Sequence, residues 1–184
     1  QQAQQARARR AGLNPFAFRL RLLDPAPLVE RLSFLLRLAR HPLTVVACVL
    51  LLGWALYRLA VDWQAVSAYA SVHMLTPRSL LLAWLLYPVL KAVHELSHAL
   101  VVRHFGGEVR EAWIGFLVLV PAPYVDASAA IAFSGKWQRA AVSSAGILVE
   151  LVTAALAFLV WTLVSDGLVR DLAFVTMSIA GLST

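Results

Sequence analysis

The chain has 184 residues, of which 60% are hydrophobic and 14% are charged, and its formal net charge is +6. A soluble domain of this size could not enclose so much apolar surface in one core, so the composition excludes an ordinary soluble domain and indicates a membrane protein. Eight of the sixteen cationic residues lie between Arg7 and Arg40, ahead of the first long apolar run; positive charge there is typical of membrane flanks and does not indicate nucleic-acid binding.

Residues 1–40 are predicted to form a basic segment outside the membrane. Residues 1–12 are almost entirely Gln, Ala and Arg, a composition with little to bury, so we expect a flexible arm. From Asn14 to Arg40, Leu and Phe are interleaved with Arg; the later positions fit a helical period, and Asp24-Pro25 is a plausible helix start. We expect this amphipathic segment to lie along the membrane surface or to dock on a neighbouring domain.

Residues 41–184 are predicted to form a membrane core. The apolar runs predict about four membrane helices: Pro42–Ala60, Leu80–Val102, Ala141–Val164 and one that begins at Leu168. Trp63–Thr76 mixes aromatic and small residues and is predicted to be interfacial. Ile114–Val125 is apolar but short and contains Pro121 and Pro123, which favours a re-entrant or interfacial hairpin over a membrane helix. The expected fold class is therefore all-α and polytopic, with one short hairpin.

The distribution of positive charge predicts the orientation of this core. The segment before His41 is rich in Arg, and the connection 103–139 contains further cationic residues, whereas only Arg78 lies near the connection between the first two helices. Because cytoplasmic flanks carry the excess of Lys and Arg, the N-terminus and the 103–139 connection are predicted to be cytoplasmic. The connections 61–79 and 165–167 are then predicted to face outward.

The second predicted membrane helix contains the sequence His94-Glu95-Leu96-Ser97-His98. Histidines four residues apart project from one face of a helix, so both imidazoles can bind one zinc ion. Glu95 lies beside them and can take a proton from zinc-bound water and then protonate the leaving amine, which is the chemistry of peptide hydrolysis. A cysteine-based metal cluster is excluded because Cys48 is the only cysteine.

A chance match to this five-residue pattern is the alternative interpretation. In lipid each ionisable side chain costs roughly 2.5–3.5 kcal/mol on insertion scales, so such residues are retained mainly where they function. Lys91, His94, Glu95 and His98 are concentrated in a short part of one apolar helix, which favours a metal site or a water-filled cavity. Lys91, one turn before Glu95, can also simply pair with it.

Together with the Pro-Tyr-Val-Asp segment at Pro123–Asp126 and the Ala145-Gly146 pair at the start of the third helix, this motif resembles the site-2 protease family of intramembrane zinc metalloproteases. More narrowly, the chain resembles a bacterial branch of peptide zinc metalloproteases. The resemblance implies that His94 and His98 bind zinc and that Glu95 is the catalytic base. It also implies a protein of the bacterial inner membrane that acts on peptide or membrane-protein substrates, within a larger membrane complex or a longer polypeptide.

Two positions after the Ala145-Gly146 pair depart from the family pattern. Family members usually have a proline directly after the glycine and, four residues after it, an asparagine that helps to hold the substrate strand; these positions are Ile147 and Glu150 here. The resemblance implies that Gly146 and Glu150 are substrate contacts, and the two departures predict that substrate handling differs from that of the family. The alternatives for Glu150 are a proton relay and a partner for Lys91 or for a polar group of another helix.

The family's third zinc ligand is an aspartate followed by glycine in a later membrane helix. The only Asp-Gly pair of this chain, Asp166-Gly167, lies in a predicted outward turn, and we interpret it as a turn signal. Asp126 is the best substitute, because it follows the proline-containing hairpin; the alternative is an interfacial aspartate that caps a turn. Since the chain starts at Gln1 and ends at Thr184 inside an apolar run, we expect it to be a fragment of a polypeptide that supplies the missing ligand.

These features predict an intramembrane zinc endopeptidase that cleaves membrane-embedded or membrane-delivered peptides. The main alternative is a non-catalytic scaffold or accessory subunit that retains the protease fold, which the missing third ligand favours. A further alternative is a transporter component that uses Lys91, Glu95 and Glu150 as a proton path, whose activity would survive zinc chelation.

Overall fold

Apolar runs of the sequence fold into helices, and a short sheet lies beside them. The computed structural model describes residues 17–21, 26–107, 109, 112–117, 120–125 and 133–183. Within these ranges the helices are α1 (Ala26–Ala39), α2 (Pro42–Val61), α3 (Trp63–His73), α4 (Pro77–His104), α5 (Lys136–Leu163) and α6 (Leu168–Leu182), and the strands are β1 (Ala17–Arg21), β2 (Ala112–Leu117) and β3 (Val120–Val125). The predicted flexible arm, residues 1–12, lies outside the described residues, as does Asp126.

Three helices, α2, α4 and α5, are long and apolar enough to cross a membrane. Twenty residues, the length of α2, measure about 30 Å at 1.5 Å per residue, which equals the hydrocarbon thickness of a bilayer. The predicted helical, polytopic fold is thereby confirmed. The fourth predicted membrane helix, α6, begins at Leu168 as expected and has 15 residues, which correspond to about 22 Å.

The starts of α2 and α4 are determined by local sequence. Each has a proline at its first position, where the missing N–H would have no helical partner in any case. The residue before that proline caps the helix: Nδ1 of His41 accepts from the Leu43 amide at 3.3 Å, and Oγ1 of Thr76 accepts from the Ser79 amide at 3.2 Å. These helix starts can therefore be read from a few adjacent residues.

Helix α5 is the centre of the bundle. It contacts α2, α4 and α6. In its most apolar segment of 18 residues 33% is buried, compared with 6% in the corresponding segments of α2 and α4. Small side chains on α5, including Ala145, Gly146 and Ala155, are buried at these contacts and allow neighbouring helices to approach closely. The N-terminal half of α5 is thus packed against the part of α4 that carries the two histidines.

Helix α1 is packed against the C-terminal part of α4. Val29, which is 1% exposed, belongs to a buried cluster with Ala99, Leu100 and Val102. Helix α1 starts directly after the predicted Asp24-Pro25 signal, so the helical interpretation is confirmed for Ala26–Ala39, the later part of this amphipathic stretch. The division at residues 40 and 41 falls between α1 and α2, and the separate roles of the two parts stay a prediction.

Three strands form a small antiparallel sheet in the order β1-β2-β3. Strands β2 and β3 are the predicted hairpin, with Ile114 opposite Pro123, and β3 is an edge strand, where a missing proline N–H costs no ladder hydrogen bond. Strand β1, which pairs Ala17 with Leu117, was not predicted. The helical fold therefore also contains a small sheet. Strand β3 runs beside α4, so the hairpin borders the helix with the histidine motif.

Candidate metal centre

The imidazole rings of His94 and His98 meet on one face of α4. Their positions differ by four residues, which a helix places about one turn apart on the same side. Nε2 of His94 lies 3.0 Å from Nε2 of His98, and the ring centroids are 4.7 Å apart with an interplanar angle of 69°. The predicted pair is therefore brought together, with the same nitrogen of each ring facing the other.

A backbone contact determines which nitrogen of His98 carries a proton. Nδ1 of His98 lies 2.6 Å from the carbonyl oxygen of Val142 on α5. A carbonyl only accepts, so Nδ1 is the donor, and in the neutral ring Nε2 then carries the lone pair. This is the tautomer that a metal-binding imidazole needs, with the other ring nitrogen held by a hydrogen bond.

The outer nitrogen of His94 lies next to a carboxylate. Nδ1 of His94 is 3.0 Å from Oε1 of Glu150 on α5. The two atoms are close, but the contact is not well directed, because this buried nitrogen makes no hydrogen bond within the described part of the chain. Proximity to a carboxylate still favours a proton on Nδ1, which leaves Nε2 of His94 free to bind a metal.

The facing Nε2 atoms fit a shared zinc ion. Two lone pairs 3.0 Å apart repel each other unless a proton or a metal ion lies between them. Zinc–nitrogen bonds measure about 2.0–2.1 Å, so nitrogens at this separation are both within reach of one ion. The two histidines therefore suit a zinc ion in both ligand type and spacing.

Gly146 leaves the space that the two rings occupy. A Cβ atom at position 146 would lie 2.4 Å from Nε2 of His94 and 2.6 Å from Nε2 of His98, distances well inside van der Waals contact. Glycine is therefore the residue that lets α5 approach this part of α4. The structure places Gly146 against the histidines themselves, and its predicted substrate contact stays a prediction.

Glu95 is half-buried on α4, directly after His94. Glu95 thus lies in the same short stretch of helix as the two histidines, as the sequence predicts. Its predicted role as the catalytic base stays a prediction.

The described residues do not complete a three-ligand zinc site around the two histidines. Within the described ranges, no group of three or more His, Cys, Asp or Glu side chains is arranged to hold a metal ion. Asp126 lies outside those ranges, so its predicted role stays a prediction. Asp166 lies between α5 and α6 and pairs with Arg170 at 2.6 Å, so the Asp166-Gly167 pair is in a turn, as interpreted from the sequence.

A second polar cluster, which the sequence interpretation missed, lies at the other end of α4. Asp171 of α6 accepts a hydrogen bond from the Tyr69 hydroxyl at 2.6 Å and pairs with Arg78 at 3.0 Å. The guanidinium of Arg170 lies over the rings of Tyr69 and Trp161. Burial, together with the bond to Asp171, raises the pKa of Tyr69 to about 12. A cavity of about 360 Å³ borders this cluster.

The sequence contains one indication of this polar cluster, a pair of adjacent opposite charges inside an apolar run. Arg170 and Asp171 follow each other near the start of the run from Leu168. Charged residues in such segments are expensive and usually have a partner. Their partners on α3 and α4 are far away in sequence, so the pattern alone could not identify them.

The family comparison covers the region that contains the histidine pair. A family model described as peptidase family M50 matches residues 82–183, more than half of the chain. The match includes most of α4, the β2–β3 hairpin, α5 and α6. Searches of curated proteins and of solved structures gave no significant match.

Proposed function

The chain belongs to peptidase family M50, and from this premise we propose that it is a zinc-dependent endopeptidase of membrane-embedded or membrane-delivered peptides. Three helices able to cross a membrane, with the family, indicate an integral membrane protein. The observation that carries the proposal is the 3.0 Å approach of the Nε2 atoms of His94 and His98 on one such helix.

His94 and His98 would hold the zinc ion through Nε2. The hydrogen bond from His98 Nδ1 to the Val142 carbonyl and the carboxylate beside His94 Nδ1 support this assignment, because both leave the inner nitrogens unprotonated. The chemistry that zinc supplies when bound is polarisation of the peptide carbonyl and activation of water near neutral pH.

Glu95 is the proposed general base. Its carboxylate would accept a proton from the attacking water and then donate it to the leaving amine, so that one peptide bond and one water give a carboxyl and an amine. The half-buried position of Glu95 on α4, directly after His94, supports this role. General acid–base groups contribute typically about 10²–10⁴-fold to rate.

Asp126 is the proposed third ligand within this chain. It follows Val125, the last residue of β3, and β3 runs beside α4. An aspartate oxygen together with two imidazoles is a normal donor set for catalytic zinc, which retains one open position.

The proposed setting is the bacterial inner membrane, with the N-terminus and the 103–139 connection in the cytoplasm. Peptides or membrane proteins are the proposed substrates, and no nucleic-acid partner is proposed. Assembly into a larger membrane complex or a longer polypeptide stays part of this proposal.

The test measures zinc content and peptide cleavage separately in purified, detergent-solubilised protein. Zinc would be measured by elemental analysis, and cleavage with labelled transmembrane peptides in micelles. His98→Ala should lose zinc, whereas Glu95→Gln should retain zinc and lose about 10²–10⁴-fold in cleavage rate. His104→Ala, at the end of the same helix, is the matched control and should change neither.

An unchanged zinc content in His98→Ala would contradict the metal assignment.

The second candidate is a non-catalytic scaffold that retains the fold. It is favoured by the absence of a three-ligand group within the described ranges. Zinc binding without cleavage in the unmodified protein, with all peptides tested, would support the scaffold and contradict the endopeptidase.

A further inference from the structure

One carboxylate oxygen of Glu150 on α5 is surrounded by polar groups of α4 and of the residue that follows α6. Oε1 of Glu150 on α5 lies 2.8 Å from Nζ of Lys91, 3.0 Å from Nδ1 of His94 and 2.9 Å from Oγ of Ser183. Lys91 and His94 belong to α4, and Ser183 follows α6 directly. The carboxylate therefore joins α5 to α4 and to the end of α6 at the outer side of a proposed zinc ligand.

The carboxylate is deeply buried and its charge is balanced locally. The side chain of Glu150 is 3% exposed and that of Lys91 is 19% exposed. An unpaired charge at such depth would be very costly, and a buried ion pair is often no more stabilising than apolar residues of the same size. Stability alone therefore gives no physical reason for this pair, and a role toward His94 does.

The position of the Glu150 carboxylate relative to the His94 ring indicates the role of Glu150. Oε1 approaches Nδ1 of His94, whereas Nε2 of the same ring faces His98. In this arrangement the carboxylate lies behind the ring, on the side away from the proposed metal position. A carboxylate there favours a proton on Nδ1 and strengthens the opposite nitrogen as a metal ligand.

We propose that Glu150 is the positioning residue of His94 and that Lys91 is its counter-ion. The Oε1 atom 3.0 Å from Nδ1 favours the tautomer and the ring orientation in which the Nε2 lone pair faces His98. Lys91 and Ser183 donate to Oε1 and hold the carboxylate, and Lys91 also offsets its charge. The inference rests on the proposed zinc function and replaces the predicted substrate contact of Glu150 by a role toward the ligand.

The decisive comparison is between a single and a double substitution. Glu150→Leu alone leaves Lys91 as an uncompensated buried charge, so it should destabilise the protein for reasons unrelated to zinc. Lys91→Leu combined with Glu150→Leu removes both charges and should recover most of the thermal stability. If Glu150 positions His94, the double variant should still bind zinc about 10–100-fold more weakly, as is typical when such a partner is removed.

Three measurements separate the outcomes. They are the zinc dissociation constant by competition with a chromogenic chelator, the visible absorption spectrum of the Co²⁺-substituted protein, and thermal unfolding of the metal-free protein. The matched control is Arg78→Leu combined with Asp171→Leu, an ion pair that joins α4 to α6 away from the histidines, and it should leave zinc affinity unchanged.

Native zinc affinity in the stable double variant would overturn the proposal and make the pair purely structural. A Co²⁺ spectrum that is identical in the unmodified protein and in the double variant would also overturn it, because His94 would then keep its position without Glu150. Failure of the zinc function itself is distinguishable: the unmodified protein would bind no zinc, or His98→Ala would bind it normally.

Discussion

Substitution of Gly146 by alanine is the sharpest local perturbation of the histidine pair. The added Cβ would lie 2.4 Å from Nε2 of His94 and 2.6 Å from Nε2 of His98. Ordinary contacts begin near 3.4 Å, so one or both rings, or the whole of α5, must move by about 1 Å. Zinc–ligand distances in a well-formed site lie within about 0.2 Å of their usual values, so a displacement of about 1 Å should weaken zinc binding in Gly146→Ala strongly.

The effect on stability should be smaller than the effect on the metal. Overpacking of a close helix contact costs about 1–3 kcal/mol, and replacement of a helical glycine by alanine returns about 0.5–1 kcal/mol. The net loss should therefore be at most about 2.5 kcal/mol, and the variant should still fold.

Zinc dissociation constants and thermal unfolding of Gly146→Ala and Gly53→Ala would be measured together. Gly53 lies on the membrane helix α2, and no atom of the described residues is within 4 Å of a Cβ added there, so it controls for the glycine-to-alanine change itself. Gly53→Ala should bind zinc normally. Native zinc affinity in Gly146→Ala would show that the metal does not lie where the two Nε2 atoms meet.

Tyr69→Phe should destabilise the protein by about 1–3 kcal/mol in thermal unfolding, because the buried carboxylate of Asp171 loses a donor. In the folded protein the pKa of Tyr69 is raised from 10.0 to about 12, so the stability that its hydroxyl contributes is complete below about pH 10 and is lost as pH rises toward 12. Tyr69→Phe should therefore flatten the decline in stability between about pH 10 and 12. An unchanged decline would show that Tyr69 does not cause it. A topology reporter fused after Gly107 should be cytoplasmic and one fused after Asp166 should be exported; the reverse result would disprove the predicted orientation. If Asp126 is the third ligand, Asp126→Asn should weaken zinc binding by more than the ~10–100-fold typical of outer partners. Asp166→Asn is the matched control, and equal affinities in the two variants would exclude Asp126.

Features that depend on neighbouring residues could be predicted from the sequence. The apolar runs predicted the membrane helices, because a helix satisfies its own backbone hydrogen bonds in lipid whatever surrounds it. The spacing of His94 and His98 predicted their meeting, because four residues make about one helical turn. Pro121 and Pro123 predicted that the segment from 114 to 125 would not be a membrane helix, and it is a β-hairpin.

Features that depend on distant residues could not be predicted in the same way. Strand β1 forms because Ala17–Arg21 pairs with β2, about a hundred residues later, and a five-residue segment has no stable pairing of its own. The partners Tyr69 and Asp171 are 102 residues apart. Nothing in the periodicity of either segment indicates the other.

The residue types of the histidine motif, their spacing on one helix and the helical membrane fold could be read from the sequence, since each follows from local geometry and from the cost of polar groups in lipid. What surrounds the two rings depends on tertiary packing. Gly146, the Val142 carbonyl and the Glu150 carboxylate reach the histidines from α5. Their positions follow from how closely and in what register α5 packs on α4, which depends on the combined side chains of both helices.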